Sequence, residues 1–159
     1  MIARRIRLIM LAALLLVIGG AVAHASVTLS RFIGEWNESG DAVRLQWSTG
    51  SETNHAYFNL WRSTVNLPIG SNGQIDTSRA TKLNTAPITS PSACSPGSYD
   101  YPIYTDATVS PTVNTYYYYL ESINCTSGSE FAGAATGGGL EVTRETNPVN
   151  TFLPLIWRQ

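Results

Sequence analysis

The chain has 159 residues, with ten basic and eleven acidic side chains, a net charge of −1 and two cysteines. That length suits one domain built around one core. The charge balance leaves no electrostatic footprint for nucleic acid or for an anionic membrane surface, and no nucleic-acid partner is expected.

The N-terminus has the order of a signal peptide: Arg4, Arg5 and Arg7, the apolar run 8–18, then Ala23, His24 and Ala25 before Ser26. The apolar run of about 11 residues falls short of the roughly 20 that cross a bilayer. Residues 1–25 are therefore expected to be cleaved, leaving no stable transmembrane segment and a protein that is secreted or held at the cell surface. The remainder carries seven basic against eleven acidic residues, a net charge of −4. Cys94 and Cys125 both lie in it, and an oxidised pair is the default state in an exported protein.

In chain order, Val27 and Leu29 open an alternating strand that reaches Trp36, with a bulge expected at Arg31 and Phe32 where alternation breaks. Residues 37–41 collect turn formers, and Gly40 can supply a positive φ. Val43, Leu45 and Trp47 then alternate with Arg44, Gln46 and Ser48, and Phe58 and Leu60 resume the period. Residues 42–48 and 57–63 thus read as two strands with one buried face each. The polar residues between them, 48–55, read as a solvated connection, so that the whole stretch forms a register-setting hairpin. In it Glu52 and Asn54 serve as turn formers, within reach of Arg62.

Residues 65–98 dissolve into Pro, Gly, Ser, Asn and Thr around one short strand at Lys82, Leu83 and Asn84. A segment this long is expected either to cross between two sheets or to carry a specific interaction. Residues 99–105 are aromatic and extended, and Pro102 confines them to an edge or a strand start. Residues 115–124, TYYYYLESIN, give the strongest strand signal of the chain. With Tyr116, Tyr118, Leu120 and Ser122 inward, Tyr117, Tyr119, Glu121 and Ile123 point outward and Glu121 stays in water. A turn at 126–129 leads into a last strand, 130–143, weakened by Gly133 and by the glycines at 137–139.

The run from Trp47 to Ser63 (WSTGSETNHAYFNLWRS), with the VSP at 109–111 and the TYYYYLE at 115–121, resembles a fibronectin type III-like module of exported bacterial proteins. The resemblance spans roughly residues 27–143. It implies an all-β, immunoglobulin-like antiparallel sandwich of two sheets and about seven strands. Trp47 then takes the place of the core tryptophan, with Phe58, Leu60, Tyr118 and Leu120 around it. Tyr116 takes the strand position whose hydroxyl closes a tyrosine corner onto upstream backbone. The same topology puts Cys94 and Cys125 at one pole, where a disulfide fits. The domain is expected over residues 26–145, followed by a tail at 146–159.

Chemistry is sparse. Once His24 leaves with the signal peptide, His55 is the one imidazole, and it reads as a solvated loop histidine with no nucleophile elbow near it. Asp41, Asp76, Asp100 and Asp106 lack the spacing of a calcium loop, and one histidine with two paired cysteines does not suit zinc. No catalytic residue, metal or cofactor is expected.

Binding has two candidates. Trp61, Tyr117 and Tyr119 are expected on one sheet, as a strip that could stack on sugars or be covered by the 65–98 segment. The tail NPVNTFLPLIWRQ is similar to the F/Y-L-P-L-I/V-x-R ending of exported proteins with such modules. Phe152, Leu153, Pro154, Leu155, Ile156 and Arg158 are therefore either a sorting tag or an element docked on the sandwich or on a partner. The sequence reads as a non-enzymatic interaction or structural module for a protein partner or cell-envelope component, with a carbohydrate-binding module as the alternative.

Overall fold

A computed structural model describes residues 26–134 and 137–145. Its strands are β1 (Ser26–Trp36), β2 (Val43–Thr53), β3 (His55–Ser63), β4 (Thr81–Lys82), β5 (Ile88–Thr89), β6 (Tyr104–Asp106), β7 (Thr115–Asn124), β8 (Ser129–Ala132) and β9 (Leu140–Thr143). They form two antiparallel sheets. One has the order β1-β2-β6; in the other, β3 and β7 are the centre, β4 and β5 pair the free side of β3, and β8 and β9 pair the free side of β7. Nine segments thus fill seven strand positions, and the fold is the expected fibronectin type III-like sandwich. Among the described residues the helical content is a 3₁₀ turn, Thr77–Arg79, capped by the Asp76 carboxylate on Ser78 N–H, and no helix is long and apolar enough to cross a membrane.

The core follows from period-two alternation. Val43, Leu45 and Trp47 of β2 point at Phe58 and Leu60 of β3 and at Tyr116, Tyr118 and Leu120 of β7, all buried. Trp47 stacks on Tyr101 at 5.3 Å between centroids and meets Phe58 edge-on at 6.1 Å, offset and T-shaped arrangements that aromatic quadrupoles favour. Each fully buried large side chain contributes roughly 1.5–3 kcal/mol relative to exposure. Where β1 closes onto β9, a Cβ on Gly34 would lie 2.6 Å from Val142 Cγ2, so only glycine lets the sheets meet there.

Three expectations are corrected. The bulge in the first strand comes earlier than Arg31 and Phe32: pairing steps from Thr28↔Ser51 to Leu29↔Thr49 and then to Arg31↔Ser48, leaving out Gly50 and Ser30. Residues 48–55 are not a solvated connection. β2 runs to Thr53, β3 begins at His55, and Asn54 alone joins them, at φ 56°. The left-handed region suits asparagine better than most residues. Because β2 and β3 belong to different sheets, the stretch is a one-residue corner and not a hairpin. The last strand is split into β8 and β9, with glycines 133 and 137–139 in the interval.

Candidate functional site

At the corner, Cys94 and Cys125 form the disulfide, with Cα atoms 6.1 Å apart. Cys94 N–H donates to the His55 carbonyl and Cys125 N–H to that of Asn54, both at 3.1 Å. Both half-cystines are exposed, and behind them lies a buried polar cluster. The Glu52 carboxylate points inward and accepts from Thr49 Oγ1 (2.9 Å), Tyr101 Oη (2.7 Å) and Ser90 Oγ (2.6 Å). His55 is fully buried. Its Nδ1 is 2.9 Å from Ser122 Oγ, its ring lies 4.2 Å from that of Phe58, and its Nε2 has no partner.

Burial pushes the imidazole below its ordinary value, against the pull of the Glu52 charge. The Tyr101 hydroxyl is pushed up by burial and by Glu52. The reading of His55 as solvated is thus overturned. Glu52 is not a surface turn former and is not met by Arg62. A serine, a histidine and a glutamate do converge, but Ser122, His55 and Glu52 are all buried, so no substrate atom could approach the hydroxyl.

Arg62 goes to the other end of the sandwich. Its Nη1 lies 2.6 Å from Asp106 Oδ2, where the carboxylate is 1% exposed and the arginine 14%. Asp106 also accepts from Tyr118 Oη (3.0 Å), Thr108 N (3.0 Å) and Thr108 Oγ1 (2.7 Å). The Arg62 guanidinium lies over the Tyr116 ring at 4.7 Å. Tyr116 Oη accepts from Ser110 N–H at 2.8 Å, closing the tyrosine corner. Sequence reasoning passed over Asp106 as one scattered acid. Its place at the end of β6, facing the inward Tyr118, was the signal.

The aromatic strip is not an open surface. Tyr119 is fully buried beneath Leu67 and Ile75 of the 65–98 segment, with Phe131 beside it. Its hydroxyl accepts from Leu67 N–H at 2.6 Å and lies 3.1 Å from the Leu67 carbonyl. Trp61 is half-buried, 6.0 Å from Phe131, and its indole N–H donates to Glu121 at 2.8 Å, a carboxylate that also accepts from Asn59 at 2.9 Å. Glu121 is therefore half-buried and bonded, not free in water. Tyr117 is half-buried against the same cluster. The alternation holds, with Tyr117 and Tyr119 on the outward side of β7, and Tyr119 is nonetheless buried because Leu67 and Ile75 of the 65–98 segment cover it.

Elsewhere, a cavity of about 660 Å³ lies between residues 34–40 and 141–145. Glu35, Glu38, Glu141 and Glu145 make it acidic, and Arg144 sits over the Trp36 ring at 4.2 Å. Among the described residues no group of three His, Cys, Asp or Glu side chains could hold a metal ion. The residues assigned to a signal peptide, and Phe152, Leu153, Pro154, Leu155, Ile156 and Arg158 of the tail, lie outside the described residues.

No family model matches the sequence, and no curated protein matches it significantly. Among solved structures the chain is similar to an Fn3-like protein from Clostridium thermocellum, at 18% identity and a TM-score of 0.43, over 76% of this chain and 92% of that one. It is also similar to the pectate lyase Pel3 from Pectobacterium carotovorum, at 16% identity and a TM-score of 0.41, over 77% of this chain and 28% of that one. Likeness at this distance assigns neither substrate nor activity, and the fold stands on the strand pairing described above.

Proposed function

We propose that this chain is an exported, non-catalytic interaction module that meets a protein partner or a cell-envelope component through its outer surfaces. One observation carries the reading: the groups that could form an acid–base site are held inside the sandwich behind a disulfide, the Glu52 carboxylate bonded to three hydroxyls and the His55 imidazole to a fourth, that of Ser122. Groups so placed fix geometry and cannot touch a ligand. Two of the aromatic rings that a sugar would need are half-buried and the third is covered, which favours a protein partner over a glycan.

Two measurements test this. Protein recovered from an expressing cell should begin at Ser26 and be found outside the cytoplasm. On a glycan array, wild type and Trp61→Ala should give the same unsaturable background. Saturable sugar binding that disappears in Trp61→Ala or Tyr117→Ala would replace this reading with the carbohydrate one, and a cytoplasmic chain that keeps its first 25 residues would remove the export.

A further inference from the structure

The outward side of the three-stranded sheet is laid out in three rows. Register places Glu35 beside Arg44 and Arg44 beside Thr105. One step along, Ile33 is paired with Gln46, and Ile103 comes next to Gln46 because Leu45 pairs with Tyr104. In the third row Arg31 pairs with Ser48, which bridges to Asp100 and donates to its carboxylate. Ile33 and Ile103 are 42% and 49% exposed and, with Val65, are the exposed large hydrophobics among the described residues. Both line one shallow groove, with the Gln46 side chain between them.

An apolar middle row between two charged rows has a definite symmetry. Take a second copy turned by a two-fold axis that lies in the contact and runs across the strands. The middle row then falls on itself, Ile33 on Ile33 and Ile103 on Ile103. The outer rows exchange, so Glu35 of each copy stands over Arg31 of the other, and Arg44 stands over the Ser48–Asp100 end. A two-fold axis along the strands would set Arg31 over Asp100, a carboxylate already engaged by Ser48, but would press Arg44 onto Arg44 and leave Glu35 facing Thr105 without a cation. The charges therefore select one operator, and it stacks the sheets in the aligned manner that sandwich faces favour.

We infer that the outer face of the β1-β2-β6 sheet is a docking surface for a second copy of this chain, through Ile33, Ile103 and reciprocal Glu35–Arg31 pairs. This rests on the reading of the protein as a module that works through its surfaces. The patch is small, so the dimer belongs at the weak end of specific interfaces, with association expected between about 10 µM and 1 mM.

The test is sedimentation equilibrium of the full chain over that range. Wild type should show a monomer–dimer equilibrium. Ile33→Glu and Ile103→Glu should each weaken it about tenfold or more, and Glu35→Arg should do the same by setting Arg on Arg. The double variant Glu35→Arg/Arg31→Glu should return the dissociation constant to within about threefold of wild type, which a merely local effect would not do. All four side chains are on the surface, so melting temperatures should stay together. A monomer throughout overturns the proposal, while the surface-module reading remains subject to its own tests. A dimer indifferent to both isoleucine variants overturns it by putting the contact elsewhere, on another segment of the chain. Loss in the single variants without restoration by the swap also overturns it, because the two-fold arrangement fails.

Discussion

Each end of the sandwich buries one carboxylate, and the two are satisfied by different means. Asp106 faces a cation, Arg62, and takes its other bonds from Tyr118 and Thr108. Glu52 has no such cation in its cage, which is made of three neutral hydroxyls, with a disulfide outside it. Desolvation of a charge is costly at either end. At the Asp106 end the geometry depends on an ion pair open to solvent at its edge. At the Glu52 end it depends on a covalent staple holding an otherwise uncharged cage closed. The difference teaches that the corner between the sheets, joined by a single connecting residue, adds a covalent pin to its hydrogen bonds where the Asp106 end uses a charge pair.

This contrast can be broken. The largest effect is expected from Asp106→Ala, which leaves the mostly buried Arg62 guanidinium and the Tyr118 hydroxyl without their acceptor. Stability measured by urea unfolding should fall by about 3–5 kcal/mol. Removing the staple with Cys94→Ser/Cys125→Ser comes next. The cysteines are 31 residues apart, and the lost loop closure should cost about 3–4 kcal/mol. Wild type with reductant should reproduce that loss. If reductant changes nothing, the Glu52 end does not depend on its disulfide.

Smaller effects sharpen it. Glu52→Gln replaces one acceptor oxygen by a donor and should cost about 1–3 kcal/mol, because hydroxyls can turn. A cost equal to that of Asp106→Ala would mean that the hydroxyl cage and the ion pair are equivalent. The smallest signal is a slope with pH. Burial depresses the His55 value in the folded chain, whereas unfolded histidine titrates near 6.5. The unfolded state therefore binds the extra proton first. Stability should be highest above about pH 6.5 and should fall as pH drops from there to the folded value, flattening below it. His55→Gln should remove this slope. At alkaline pH both ends behave alike. Tyr101 and Tyr118 are each raised by burial and by a nearby carboxylate, so stability falls as pH rises past the ordinary tyrosine value of about 10.

The fold was legible because alternation is a local property. Val43, Leu45 and Trp47, and later Tyr116, Tyr118 and Leu120, show their buried face in the sequence itself. The disulfide followed from topology once the strands were placed. The polar interior was not legible. Glu52 and His55 continue the strands with inward positions, but inward polar side chains look the same in sequence as a solvated turn. Only Thr49 in the same strand together with Ser90, Tyr101 and Ser122, brought in from three other segments, identifies them as buried. Cover over Tyr119 by the 65–98 segment was one of the two expected outcomes, but the residues that make it were not legible: Leu67 and Ile75 are isolated apolar residues in a stretch with no period, and nothing local announces that they lie over β7. The outer face of the β1-β2-β6 sheet needs pairing register as well as pattern, since Ile33 and Ile103 are 70 residues apart in the sequence.

The corner at Asn54 carries a consequence for how such a chain can change in length. One residue joins strands of opposite sheets, and side chains alternate with a period of two. Inserting or deleting a single residue there would exchange the two faces of β3, turning Phe58 and Leu60 to the outside and drawing Trp61 and Asn59 toward the core. Even a two-residue insertion, which keeps the faces, would carry the His55 carbonyl away from Cys94. Ser71 and Asn72 are exposed and belong to no strand, so chain added between them shifts no strand's faces. Growth and loss of residues in relatives of this protein should therefore gather in the covering segment and spare the corner.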